Sequence, residues 1–131
     1  MLEEGSVQLN QISGQIVQAA MRVHTALGPG LLENAYEGCL FYELQTSNIA
    51  VRRQVVLPVL YRGIEIELGY RLDLLVAEAV VVELKAVNEI LPLHKAQVLS
   101  YLKLSDIKLG LLINFNVLHL KDGITRMVNK L

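Results

Sequence analysis

"GYRLDLLVAEAVVVELKAV", running from Gly69 to Val87, decides how this chain is read. Two apolar runs of strand length, 70–76 and 80–85, flank Ala77-Glu78-Ala79, which predicts a hairpin of buried strands. Yet Asp73 lies inside the first run, and Glu83-Leu84-Lys85 closes the second. Ionisable groups are rarely tolerated in such surroundings without partners. A turn centred on Glu78 sets Asp73 opposite Glu83 on one face, with Cβ atoms about 4.5–5.5 Å apart, and like charges so placed repel. Lys85 lies two residues beyond Glu83, so the strand period puts it on the same face, where it compensates part of the charge. One lysine against two carboxylates leaves a negative excess. Such oxygen donors suit Mg²⁺ or Mn²⁺, with water and substrate phosphate filling the other positions.

The rest of the chain supplies a frame for that hairpin. Ile12, Ile16, Ala19, Val23 and Leu27 form the stripe of an amphipathic helix, which Gly28-Pro29-Gly30 stops. "LLENAYEGCLFYELQ" resumes helical spacing through Leu32, Ala35, Cys39 and Tyr42. "VRRQVVLPVLY" reads as a strand, with Pro58 marking an edge or bulge. Arg62-Gly63 turns it into "IEIEL", whose alternation predicts a half-buried strand. "LPLHKAQVLSYLKL" is again helical, with Pro92 in its first turn and Leu93, Ala96, Leu99 and Leu102 as the expected apolar stripe. "IKLGLLINF" reads as a buried strand, "VLHLKDG" as the approach to a turn, and "ITRMV" as a last edge strand. The expectation is an α/β fold with a mixed β-sheet flanked by helices, in the order α-α-β-β-β-α-β-β, as one domain over residues 1–131.

Composition narrows the function classes. With 12 basic and 13 acidic residues, net charge −1, the chain has no global positive field to attract nucleic acid, so any such binding needs a local patch. A hydrophobic fraction of 53% leaves room for an apolar patch covered by a second copy. The single cysteine, Cys39, forms no internal disulfide, and its apolar neighbours suggest a packed thiol in a reducing compartment. "MLEEGSVQLN" does not read as a secretion signal, and no apolar run approaches the roughly 20 residues a membrane span needs. These features place the chain in the cytoplasm with no membrane partner.

Two helices offer further polar groups. Glu33 and Tyr36 share a face at the start of the second helix, and His94, Gln97 and Tyr101 share one on the later helix. With Asp73, a spacer and Glu83-Leu84-Lys85, this order of motifs resembles the GxxExxY proteins, a branch of the PD-(D/E)XK (restriction-endonuclease-like) nuclease superfamily. Gly30-Leu-Leu-Glu33-Asn-Ala-Tyr36 carries the name-giving motif, Gln97-Val-Leu-Ser-Tyr101 the Gln-x-x-x-Tyr element of RecB-like members, and "GLLINFN" the usual ending. Leu72 stands where some members have proline before the aspartate.

The resemblance implies a Mg²⁺- or Mn²⁺-dependent nuclease acting on nucleic acid, DNA ahead of RNA. By the same resemblance Glu33, Asp73, Glu83 and the backbone carbonyl of Leu84 hold the metal, which polarises the scissile phosphate and acidifies its bound water. Lys85 positions or deprotonates that water or neutralises developing charge, and Gln97 and Tyr101 orient Lys85, the water or the DNA backbone. Tyr36 and His94 are assigned to substrate binding.

Each residue also has a plainer reading. Asp73, Glu83 and Lys85 could be an ion-pair network at a sheet end, though two carboxylates per lysine argue against it. Glu33 suits any helix start by the dipole, and Tyr36 and Tyr101 could be boundary tyrosines. Gln97 and His94 could be solvated, and His24 and His119 have no neighbours that suggest ligation. Arg52, Arg53, Arg62 and Arg71 are expected to face solvent or pair with Glu65 and Glu67 rather than form a DNA-facing patch. The alternative to the enzyme is a non-catalytic binding module that keeps the nuclease fold within a larger assembly.

Overall fold

Ile16, Ala19 and Val23 of the expected stripe are buried along one side of the first helix, α1 (Glu4–Leu27), together with Ala20, while Ile12 is half-buried and Leu27 exposed. The computed structural model describes residues 4–131. Gly28 ends α1 with φ +69°, its N–H donating to the His24 carbonyl at 2.7 Å. A left-handed residue after the last turn is the usual way to satisfy a helix's orphan carbonyls. The second helix, α2 (Glu33–Thr46), buries Tyr36, Glu37, Leu40 and Leu44, not the expected Leu32, Ala35, Cys39 and Tyr42. Cys39 is exposed, against the expectation of a packed thiol. Apolar residues surround this helix on all sides, so periodicity alone does not choose the inward face.

The strands are β1 (Val51–Val56), β2 (Val59–Tyr61), β3 (Ile64–Ile66), β4 (Arg71–Val76) and β5 (Val80–Lys85) before helix α3 (Pro92–Ser105). Strand β6 (Leu109–Asn114), a 3₁₀ turn (Leu120–Gly123) and β7 (Ile124–Val128) follow it. Five strands thus precede α3, against three in the expected order: all four stretches read as strand-like there form strands, and Leu57-Pro58 breaks the first of them in two. The main sheet runs β1-β4-β5-β6-β7, antiparallel except for β5 and β6, which α3 connects in parallel. A parallel pair needs such a crossover, whereas antiparallel neighbours need only a turn. β2 and β3 form a separate two-stranded sheet.

Two cores lie on the two faces of the main sheet. One joins α1 and α2 to Leu74, Val76, Val80, Val82, Leu84, Leu111, Ile113 and Phe115. The other joins Val98, Tyr101 and Leu102 of α3 to Leu72, Leu75, Val81 and Leu112. Leu102 alone of the expected α3 stripe is fully buried, and Leu93 is 77% exposed. Gly110 permits the close approach of α3, since a Cβ there would lie 3.2 Å from Val98 and Leu102 side-chain atoms. Asn114 ends β6 by bonding both the N–H and the carbonyl of Val87, at 3.1 and 2.9 Å, which ties down the segment after β5. Among the described residues no helix is long and apolar enough to cross a membrane.

Candidate functional site

The β4–β5 hairpin turns through Ala77 and Glu78, both with φ +54°, and pairs Val76 with Val80, Leu75 with Val81 and Leu74 with Val82. Its register is the one that sets Asp73 opposite Glu83, but the ladder stops one step short of them. There the carboxylates replace the backbone bonds. Glu83 Oε2 accepts from the Asp73 N–H at 2.7 Å, and Asp73 Oδ2 accepts from the Leu84 N–H at 2.9 Å. β1 lets go at the same step: Arg53 pairs with Leu74 and Val55 with Leu72, while Gln54, opposite Asp73, has φ +50°. Leu72 and Leu75, three apart, enter the same core, so strict alternation of β4 is broken across Asp73. The aspartate therefore occupies a gap between two strands that separate around it.

That gap is electrostatically unfavourable for anions. Glu83 is 5% exposed, and burial, then the charge of Asp73, pushes its carboxyl up to about 8. Asp73 is also raised, chiefly by burial, with the Leu84 N–H opposing and Glu37 and Glu33 adding repulsion. Lys85 favours the charged form of Glu83 at longer range, yet the ion pairs of the described residues are Arg22–Glu43, Arg52–Glu78 and Arg53–Glu37. Each site carboxylate keeps one oxygen largely free: Asp73 Oδ1 has only Gln54 Nε2 at 3.5 Å, and Glu83 Oε1 has no hydrogen bond from a described residue. Because no buried side-chain oxygen among the described residues lacks a partner, Glu83 Oε1 retains contact with solvent. The carbonyl of Leu84 leaves the strand on the same edge as its N–H, toward the gap.

Among the described residues, no three His, Cys, Asp or Glu side chains are gathered closely enough to hold an ion by themselves. The donor set nevertheless fits a hard divalent cation, which takes few carboxylates and completes its shell with carbonyl, water and phosphate oxygens. A cation beside Asp73 and Glu83 would offset the burial and mutual repulsion that raise their pKa values.

Helix α2 brings the next groups. Glu33 is its first residue, exposed, and near enough to Asp73 to repel it. The turn before it is held by Tyr36, whose hydroxyl donates to the Gly28 carbonyl at 2.7 Å and accepts from the Leu31 N–H at 3.1 Å. The Tyr36 ring is fully buried and stacks on Phe115 at 4.5 Å and 9°. Tyr36 is thus turned into the core, with its hydroxyl committed to the turn, and does not line the open side of the site. The spacing of Gly30, Glu33 and Tyr36 acquires a physical meaning: Gly30 takes φ +102°, Tyr36 pins the turn, and Glu33 starts the helix beside Asp73.

On the other face, Tyr101 is 7% exposed and meets Tyr70 edge-on at 6.0 Å. Burial raises its pKa first, and Glu83, Tyr70 and Asp73 raise it further, which puts the phenol near both carboxylates. Gln97 is exposed and lines a shallow recess with Lys85, Leu93, His94, Ala96 and Ser100. His94 Nδ1 accepts from the Leu91 N–H at 2.9 Å and so caps α3. His24 contacts the Val117 carbonyl at 2.8 Å, away from this recess.

Three residues of the arrangement escaped the motif reading. Glu37, 8% exposed, accepts from Arg53 Nη2 at 3.0 Å and from Gln54 Nε2 at 2.6 Å. Its signal was present, since Glu37 follows Glu33 by one helical turn. Gln54 and Arg53 gave none. Of the other arginines, Arg52 pairs with Glu78, Arg62 lies over the Tyr61 ring at 5.4 Å, and Arg52, Arg62 and Arg71 are exposed, so these side chains face solvent, one of the two expected outcomes, and among the described residues none pairs with Glu65 or Glu67.

Over residues 10–127 the chain matches the family model of the PD-(D/E)XK nuclease superfamily. No curated protein and no solved structure matches it.

Proposed function

The chain belongs to the PD-(D/E)XK nuclease superfamily, and on that premise we propose that it is a divalent-metal-dependent nuclease that hydrolyses phosphodiester bonds, DNA ahead of RNA. One observation carries the reading: Asp73 and Glu83 each commit one oxygen to a backbone amide and leave the other largely free for a ligand where the ladder opens around Asp73. Mg²⁺ or Mn²⁺ would be held by those two oxygens, the Leu84 carbonyl and Glu33. When bound, the ion supplies Lewis acidity to the scissile phosphate and acidifies water.

The chain's own residues do the remainder. Lys85 stands on the same strand face as Glu83 and contributes positive charge where the phosphorane gains negative charge, and it orients the attacking water. The water oxygen forms the new P–O bond and gives its proton to solvent, the bond between phosphorus and the leaving oxygen breaks, and that oxygen takes a proton from solvent as it departs with the other fragment. Gln97 and His94, beside Lys85 at the recess, offer donors to the nucleic-acid backbone, and Tyr101 backs Glu83 from the α3 side. The reading puts the chain in the cytoplasm with nucleic acid as its substrate. It also allows a second copy to cover the bare β2–β3 hairpin, a point light scattering would decide.

The first experiment is calorimetric titration of Mn²⁺ into the protein and into Asp73→Ala. Binding that the variant loses, followed by metal-dependent cleavage of single-stranded, duplex or branched DNA or of RNA, is the expected result. Absence of both in the wild type would favour the non-catalytic module, which the use of two carboxylate oxygens on backbone amides also accommodates.

A further inference from the structure

Gln54 lies in the middle of β1, yet takes φ +50°, a conformation that side-chain-bearing residues seldom adopt in a strand. No residue has been inserted there, because pairing resumes in register at Val55 and Leu72 after Arg53 and Leu74. A strand that only had to pair would keep Gln54 extended. What the distortion achieves is visible in Glu37: consecutive strand residues point to opposite faces, but here Arg53 and Gln54 both reach this one carboxylate. Arg53 holds Oε2 with Nε at 3.3 Å and Nη2 at 3.0 Å, and its guanidinium is steadied over the Phe41 ring at 5.3 Å. Gln54 Nε2 holds Oε1 at 2.6 Å and reaches Asp73 Oδ1 at 3.5 Å. Carboxylates only accept, so the amide nitrogen, not its oxygen, must face both.

From this geometry we infer that Gln54 is a positioning residue for the metal site, its amide standing between Glu37 and Asp73 and keeping Asp73 Oδ1 turned toward the gap. The inference rests on the metal reading above. Glu37 has both oxygens occupied, so it acts through Gln54 and not as a ligand. Asp73 Oδ2 is fixed by the Leu84 N–H, while the long Gln54 contact leaves Oδ1 with capacity for a cation. The strain at Gln54 is thus retained at the one ladder step that faces Asp73.

Gln54→Gly and Gln54→Asn test it with Mn²⁺ alone as the probe. Glycine accepts positive φ freely, and asparagine tolerates it but is too short to bridge the two carboxylates. Both variants are expected to lose about tenfold in Mn²⁺ affinity by calorimetry, the scale of losing a group that orients a ligand. The glycine variant should meanwhile melt at the wild-type temperature or higher. Wild-type Mn²⁺ affinity in either folded variant overturns the inference while leaving the metal reading intact. No Mn²⁺ binding by the wild type overturns the metal reading and this inference with it.

Discussion

The β2–β3 and β4–β5 hairpins follow one another along the chain and are built from similar apolar material, but only one of them is covered. In β4–β5, Leu74, Val76, Val80, Val81 and Val82 are all fully buried, enclosed between α1 and α2 on one side and α3 on the other. In β2–β3, Leu60, Tyr61 and Ile64 are each more than half exposed, and Leu68 beyond it is 60% exposed. The alternation of "IEIEL" predicted one buried face, and neither face is buried. Alternation records that a strand has two kinds of face; whether the apolar one is enclosed depends on which helices arrive above it. The enclosed hairpin can sustain a desolvated carboxylate such as Glu83, and the bare one cannot.

The largest contrast should appear in activity. Asp73→Ala is expected to lower metal-dependent cleavage by about 10²–10³-fold, the scale of removing a transition-state stabiliser. Ile64→Ala, in the bare hairpin, should leave cleavage within a factor of about two if that hairpin grips no substrate. Denaturant unfolding gives the next contrast: Leu74→Ala should cost about 2–5 kcal/mol through the cavity it leaves, and Ile64→Ala less than about 0.5 kcal/mol. Equal costs would mean that something covers β2–β3 in solution.

The covered hairpin should also confer a pH dependence that the bare one lacks. Glu83 is raised from 4.5 to about 8 in the folded chain, so between those values the native state holds a proton that the unfolded state has released. Stability from this group is therefore full below about pH 4.5 and is lost as pH rises through about 8, a change of a few kcal/mol at most. Urea titrations across that range, without metal, should show the decline, and Glu83→Gln should flatten it. Tyr36→Phe, which strips the Gly28 carbonyl and the Leu31 N–H of their partner but keeps the stack on Phe115, should cost about 1–3 kcal/mol. Smallest of all, Arg52→Ala removes an exposed pair with Glu78 at the turn end of β4–β5 and should not measurably move the melting temperature.

Local pattern was legible wherever one chemical feature dominated a stretch. Much of the α1 stripe, the β4–β5 hairpin with its register, and the helix at Pro92 follow from periodicity and turn chemistry, and the superfamily that the motifs suggested is the one whose model the chain matches over residues 10–127. Helix rotation was not legible. α2 and α3 carry apolar residues around most of their circumference, so Cys39 and Leu93 were expected inside and are outside, while Tyr36 turned inward.

The sequence by itself determined the register of a buried hairpin with the turn at Glu78, which sets Asp73 opposite Glu83, and the two-residue period puts Lys85 on the Glu83 side of β5. Only the tertiary structure decided that the ladder opens at Asp73, that Glu37, Arg53 and Gln54 close around it, and that Tyr36 supports the turn before Glu33. The contacts of Glu37, Arg53, Gln54 and Asp73 join residues 16 to 19 positions apart, and Tyr36, whose hydroxyl reaches only back to Gly28 and Leu31, is held inward by its stack on the distant Phe115. Contacts across such distances depend on how helices seat against the sheet, a packing outcome that no short window of sequence contains.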